Sequence, residues 1–279
     1  MTIKNKVVVV VCEGQHDISF ISRILHTAGF KTDNRKIKDF PSPFNALFAG
    51  IASKMILADR KLGYQSPNFL LPSVALEMDG KIVFLHNLSG DGRSVERSKL
   101  ISLYSGLIGD DDFSVDINYD FRFLFFFDAD DIGVQTRLTQ IREELALNEP
   151  LSNGAVATKG NYEVGCYIYH ANQSDTGVLE DILIGHFASK DQDLLEHVSQ
   201  FLTEHVLDDE RTKELHVVDG NEQRKGASKY SEKKSKVNLF GQLQFSGMNN
   251  SVIIAKSDFL RKADLESCPQ CLIIKNMFR

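Results

Sequence analysis

The chain has 279 residues, 42% of them hydrophobic and 25% charged, a globular composition whose length suits one large domain or a domain with an appendage. No apolar run reaches the roughly 18 residues needed to span a bilayer, and Val7 to Val11 is too short and polar-flanked for a signal peptide, so a cytoplasmic protein without a membrane partner is expected. A net charge of −6 argues against a protein that coats nucleic acid over its whole surface, and permits a local basic groove.

Lys6 to Cys12 is a continuous β-branched run, hydrophobic on both faces, as a central parallel strand covered by helices should be. Ile18, Phe20, Ile21, Ile24 and Leu25 recur at helical spacing, with Gly29 as a stop, so Glu13 to Asp17 occupies a strand-to-helix turn. Phe44, Leu47, Phe48, Ile51, Met55 and Ile56 predict an amphipathic helix after Pro43, closed by Gly63 and Pro67, inside an insertion of about residues 31–75. Ser73 to Met78 and Lys81 to His86 flank Asp79-Gly80, a hairpin dipeptide. A loop with Gly90 and Gly92 leads to a helix from about Ser94 to Leu107.

Phe121 to Phe127 is a second buried strand, running into Asp128-Ala-Asp130-Asp131-Ile-Gly133 and a helix that ends near Asn148-Glu-Pro150. Glu163 to His170 is a further strand, and Gly177 opens a helix with Glu180 and Asp181 in its first turn. The order predicts an α/β fold, a mainly parallel sheet with helices on both faces, over residues 1–189. Residues 190–279 read as a mainly helical C-terminal extension, with one helix from Leu194 to Val206 and a basic stretch from Lys225 to Lys236.

Functional groups in an open parallel sheet collect beyond the carboxyl ends of the strands, and three acidic motifs fall there: Glu13 with Asp17, Asp128 with Asp130, and Glu180 with Asp181. Six converging carboxylates repel one another unless cations lie between them, and Mg²⁺ prefers hard oxygen ligands. Each motif also has a bland meaning. Asp128 and Asp130 suit turns and helix caps, and Glu180 and Asp181 suit a first helical turn. Lys225, Lys229 and Lys233, spaced four apart, would share one helix face with Arg224, Lys234 and Lys236 nearby. That face could track a phosphate backbone, although a solvated charged helix is the commoner meaning. Lys159 and Arg93 are further candidate cations, while His16, His86 and His170 are read as packing residues. Cys268 and Cys271 form a lone C-x-x-C whose distance from His205 and His216 argues against zinc.

Glu13-Gly14 after an apolar strand, then Asp128-x-Asp130 with Gly133 after another, resembles the Toprim domain of topoisomerases, primases and OLD-type nucleases. Gly177-x-Leu179-Glu180-Asp181 is similar to a G-x-L-E-D segment of bacterial Toprim-like proteins related to those nucleases. The resemblance covers roughly residues 5–187 outside the insertion and implies a Toprim-like (Rossmann-like) domain. It implies that Glu13 serves in acid/base work or metal ligation, and that Asp128 and Asp130 hold Mg²⁺, with Mn²⁺ as a substitute. Asp17 and Glu180 would serve a second ion, with Asp181 beside them; apart from the resemblance, the need for cations at such a site makes Lys225 and Lys229 the lysines expected to assist catalysis. The implied activity is Mg²⁺-dependent cleavage of DNA or RNA, with a separate ABC-type ATPase as partner in defence against phage; a homo-oligomer is compatible with it. Two other readings stand beside it: a non-catalytic module that binds nucleic acid or a partner protein, and a haloacid-dehalogenase-like phosphatase using Asp128.

Overall fold

The computed structural model describes residues 5–55, 68–90, 92–108 and 119–279. Gly63 and Pro67, expected to close the helix after Pro43, lie outside the described residues.

Strands β1 (Asn5–Cys12), β4 (Lys81–Asn87), β5 (Tyr119–Asp128) and β7 (Tyr162–Tyr169) form the parallel centre of a seven-stranded sheet. Antiparallel strands extend it on both sides: β3 (Val74–Met78) and β2 (Lys31–Thr32) beyond β4, and β6 (Val156–Lys159) beyond β7. The order is β2-β3-β4-β1-β5-β7-β6. This is the expected mainly parallel, Rossmann-like α/β sheet, with antiparallel margins where hairpins return the chain from β3 to β4 and from β6 to β7. The Asp79-Gly80 hairpin joins β3 to β4, both turn residues at positive φ. The hairpin of β6 and β7 was not expected, because Val156 to Lys159 is short and only partly buried.

Alternation divides the apolar strands between two cores. Val8, Val10, Cys12, Leu124 and Phe126 face α1 (Gln15–Thr27) and α5 (Leu179–Lys190). Val7, Val9, Val11, Phe121, Phe123, Phe125 and Phe127 face the other layer, built from α2 (Phe44–Ser53), α3 (Ser94–Ser105) and α4 (Val134–Glu144). Both faces of β1 and β5 are therefore dry, which explains why their sequences are hydrophobic without a polar stripe.

Beyond α6 (Gln192–Glu204), Glu214–Val218 (β8) and Asn221–Lys225 (β9) form an exposed hairpin around Asp219-Gly220, followed by α7 (Glu232–Gln242), α8 (Asn250–Lys256), α9 (Lys262–Ser267) and α10 (Pro269–Asn276). The expected basic helix over Lys225 to Lys236 is corrected here. Lys225 ends β9, Lys229 lies in the following loop, and of the three evenly spaced lysines Lys233 alone is helical, with Lys234 and Lys236 beside it in α7. Gly226 at φ +81° turns the chain out of the strand, and Ser231 caps α7 by accepting the Lys234 amide, so the helix cannot start earlier.

The helices α7 to α10 pack into the first core, where Val237, Phe240, Ile253, Ile254, Ile274 and Phe278 are buried. Arg23 of α1 donates to the carbonyls of Ala255, Ser257 and Leu260 at 2.9, 3.2 and 3.0 Å. Buried Arg122 of β5 donates to the carbonyls of Met277 and Arg279 and to Glu163. Among the described residues no helix is long and apolar enough to cross a membrane.

Phe278 is fully buried and stacks on Phe126, with ring centroids 6.3 Å apart. Phe278→Ala is expected to destabilise the whole chain by about 3–5 kcal/mol, the usual range for a buried Phe. A denaturant titration in which the midpoint is unchanged would show that this segment does not belong to the cooperative core.

Candidate metal-binding cavity

All four parallel strands deliver residues to one cavity of about 470 Å³ at their carboxyl ends. Ser89 and Gly90 follow β4, Glu13 follows β1, Asp128 ends β5, and Leu179 and Glu180 enter by the loop after β7. Lys234 of α7 and Asn249 and Ser251 at the start of α8 complete the rim, so the C-terminal segment forms one wall.

Glu13 and Asp128, 115 positions apart, are joined directly: Glu13 Oε1 accepts the Asp128 amide at 3.3 Å. Asp17, at the third position of α1, accepts the Gly14 amide at 2.7 Å and is only 7% exposed. Asp128 Oδ1 accepts the Leu179 amide at 2.7 Å and so caps α5 from another strand. Glu180, 3% exposed, lies 3.1 Å from His16 Nδ1. The N-termini of α1 and α5 both meet the cavity, and their unpaired amides favour negative charge there.

That help is incomplete. Burial first, opposed by the Gly14 bond and reinforced by Glu13 and Glu180, pushes Asp17 from 3.8 up to about 7. Burial, Asp17 and Glu13 push Asp128 up to about 8. Burial also pushes Glu180 upward, but the His16 bond and the Lys234 charge outweigh it and hold Glu180 below its ordinary value. Burial and mutual repulsion thus favour the neutral forms of Asp17 and Asp128, and a cation in the cavity would favour the charged ones.

The other expected ligands turn elsewhere. Asp130, at φ +47°, pairs with Arg137 at 2.8 Å and does not line the cavity, while its backbone bridges to Gly177. Asp181 caps α5 through the Val178 amide at 2.9 Å and pairs with Lys233 at 2.7 Å. Gly177 is required between them: at φ +126°, an added Cβ would stand 2.6 Å from the Ala171 nitrogen and 2.7 Å from Asp181 Oδ2.

Lys225 and Lys229 are exposed on the hairpin and its loop. Lys229 pairs with Glu214 at 3.5 Å, and neither lysine reaches the cavity, because the helix that would have carried them begins only at Glu232. Lys159 is bound to the Leu145 carbonyl, and Arg93 pairs with Glu96 at 3.3 Å. His86 is indeed a packing residue, bonded to Phe69 and Tyr104 in the second core.

His16 and Lys234 are the side chains that sequence reasoning passed over. Lys234 was within reach of it, since Ser231-Glu232-Lys233-Lys234 has the form of a helix start and places a lysine amide under the cap. His16 carried no such signal, because its partner Glu180 lies 164 residues away.

Glu13, Asp17, Asp128 and Glu180 offer only oxygen, the donor set that suits a hard divalent cation. Among the described residues no three of them bring ligand atoms within 4.8 Å of one another; His186, Cys268 and Cys271 do. Direct bonds from one or two carboxylates, with waters between the ion and the rest, are the usual manner of Mg²⁺ and fit this spacing.

No curated protein matches the chain. Its fold is similar to the crystal structure of a hypothetical protein from Pyrococcus horikoshii OT3, with a TM-score of 0.54 and 14% identity over 97% of this chain and 93% of that one, a likeness of fold alone. Residues 104–238, slightly less than half of the chain, are similar to the family described as a protein of unknown function (DUF3226).

Proposed function

We propose that the chain is a Toprim-like, Mg²⁺-dependent enzyme that cleaves phosphodiester bonds in nucleic acid. The observation that carries this reading is the meeting of Glu13, Asp17, Asp128 and Glu180 in one cavity beyond the strand ends, where burial and mutual repulsion push Asp17 and Asp128 upward. Those four residues would hold the metal, which when bound would supply charge for a phosphoryl group and acidity for water. Lys234 stands at the rim as a counter-charge for phosphate oxygens, and His16 orients Glu180. Glu13 retains its bond to the Asp128 amide and so fixes one carboxylate against the other. The nucleic-acid substrate and a separate ABC-type ATPase partner rest on the resemblance.

A phosphatase built on Asp128-x-Asp130 is less well supported, because Asp130 pairs with Arg137 at 2.8 Å and does not line the cavity with Asp128. The engagement of Asp130 by Arg137 favours a non-catalytic module as the second reading, since it withdraws one expected ligand.

Incubation of the full chain with supercoiled DNA and with RNA, in Mg²⁺, Mn²⁺ or EDTA, is expected to give metal-dependent nicking or cleavage. Glu13→Gln and Asp128→Asn should each reduce it by about 100-fold or more, and Lys234→Ala by about 10-fold or more. Full activity in both carboxylate variants would remove this cavity as the active site.

The protonated carboxyl groups also set a pH dependence. Asp17 and Asp128 bind protons more tightly in the folded chain than in the unfolded one, so their ionisation destabilises the metal-free fold as pH rises from about 4 to about 8. A cation must displace those protons. Thermal melts are therefore expected to show Mg²⁺ raising the midpoint more above about pH 8 than below about pH 6, with Asp17→Asn and Asp128→Asn flattening the difference. Equal stabilisation at both pH values in the wild type would separate these groups from metal binding.

A further inference from the structure

Beside His186 of α5, the C-terminal segment brings two thiols up to an imidazole. Cys268 caps α10 by accepting the Cys271 amide at 3.4 Å, and Cys271 is buried one turn later. His186, 85 positions earlier on α5, directs Nε2 to the Cys271 sulfur at 3.9 Å. One ligand atom from each of the three lies within 4.8 Å of the other two.

We propose that His186, Cys268 and Cys271 bind a zinc-class ion, through Nε2 and the two sulfurs, with the fourth coordination position open to solvent. Bond lengths of about 2.3 Å to sulfur and about 2.0 Å to nitrogen in a tetrahedron separate sulfur and nitrogen by about 3.6 Å, so the His186–Cys271 pair at 3.9 Å closes by a few tenths of an ångström, and the other pairs, within 4.8 Å, by no more than about 1.2 Å. Two thiolates and an imidazole form a soft donor set, which selects zinc over Mg²⁺ and separates this site from the carboxylate cavity.

The fourth position follows from what surrounds the group. It opens on a cavity of about 400 Å³ lined by Asn172, Ser189, Asp264 and Gln270. Asp264, the carboxylate there nearest in chemistry to a fourth ligand, is already used: one oxygen pairs with Lys190 at 2.7 Å and the other accepts the Arg261 amide at 2.9 Å. The remaining position falls to water or to a small exchangeable donor from the cavity.

The test is titration of the full, reduced, metal-free chain with Co²⁺, read by the sulfur-to-cobalt charge-transfer absorption and by the visible bands of a tetrahedral ion. One equivalent should saturate the signal, Zn²⁺ should abolish it, and excess Mg²⁺ should leave it intact. Cys268→Ser and His186→Ala, each checked for folding by circular dichroism, should weaken binding by more than about 100-fold, beyond the loss typical of a residue that merely supports a ligand. The wild-type titration decides the matter even if a variant fails to fold. A reduced wild type without the charge-transfer band would overturn the proposal, as would His186→Ala binding with unchanged affinity. Zinc uptake that survives the loss of both Cys268 and Cys271 would overturn it as well.

Discussion

The burial of like charges at the carboxyl edge of the parallel sheet is the constraint around which the cavity is arranged. Glu13, Asp17, Asp128 and Glu180 come from three separate stretches of chain, and each accepts a hydrogen bond or faces a cation that reduces its isolation. The compensation is backbone amides first and side-chain cations second. Amides at the starts of α1 and α5 cannot leave without unwinding a helix, so the acidic groups are fixed in place by the same bonds that begin those helices.

The C-terminal segment is the second requirement. Arg23 and Arg122 donate to main-chain carbonyls from Ala255 to Arg279, satisfying oxygens that short helices and turns leave unpaired while holding those elements against α1 and β5. Guanidinium groups suit this task because several fixed donors can engage carbonyls from different turns at once. The segment is thereby pressed onto the first core, and Lys234, Asn249 and Ser251 reach the cavity rim as a result.

Much of the sheet was legible because its signals are local. Val7 to Val11 and Phe121 to Phe127 are buried on both faces and read as such, and Asp79-Gly80 marks its turn through backbone conformation alone. The acidic motifs were also visible, since strand ends are where side chains escape the sheet. What could not be read was direction and partner. Asp17 and Asp181 both stand at the third position of a helix and both accept the amide that precedes it, yet one lines the cavity and the other pairs with Lys233. The lysine spacing from 225 to 233 fitted a helix, but Gly226 and the Ser231 cap overruled the periodicity. His16 with Glu180, and His186 with Cys271, are pairings that only the packed chain creates.

Helix α5 carries Glu180 in its first turn and His186 six residues later, about 9 Å along a rod with no proline or hinge between them. An α-helix of this length is stiff, so a tilt imposed at one end becomes a displacement at the other. The acidic pocket and the sulfur-lined hollow are thus both built on this one rod, Glu180 lining the first and His186 the second.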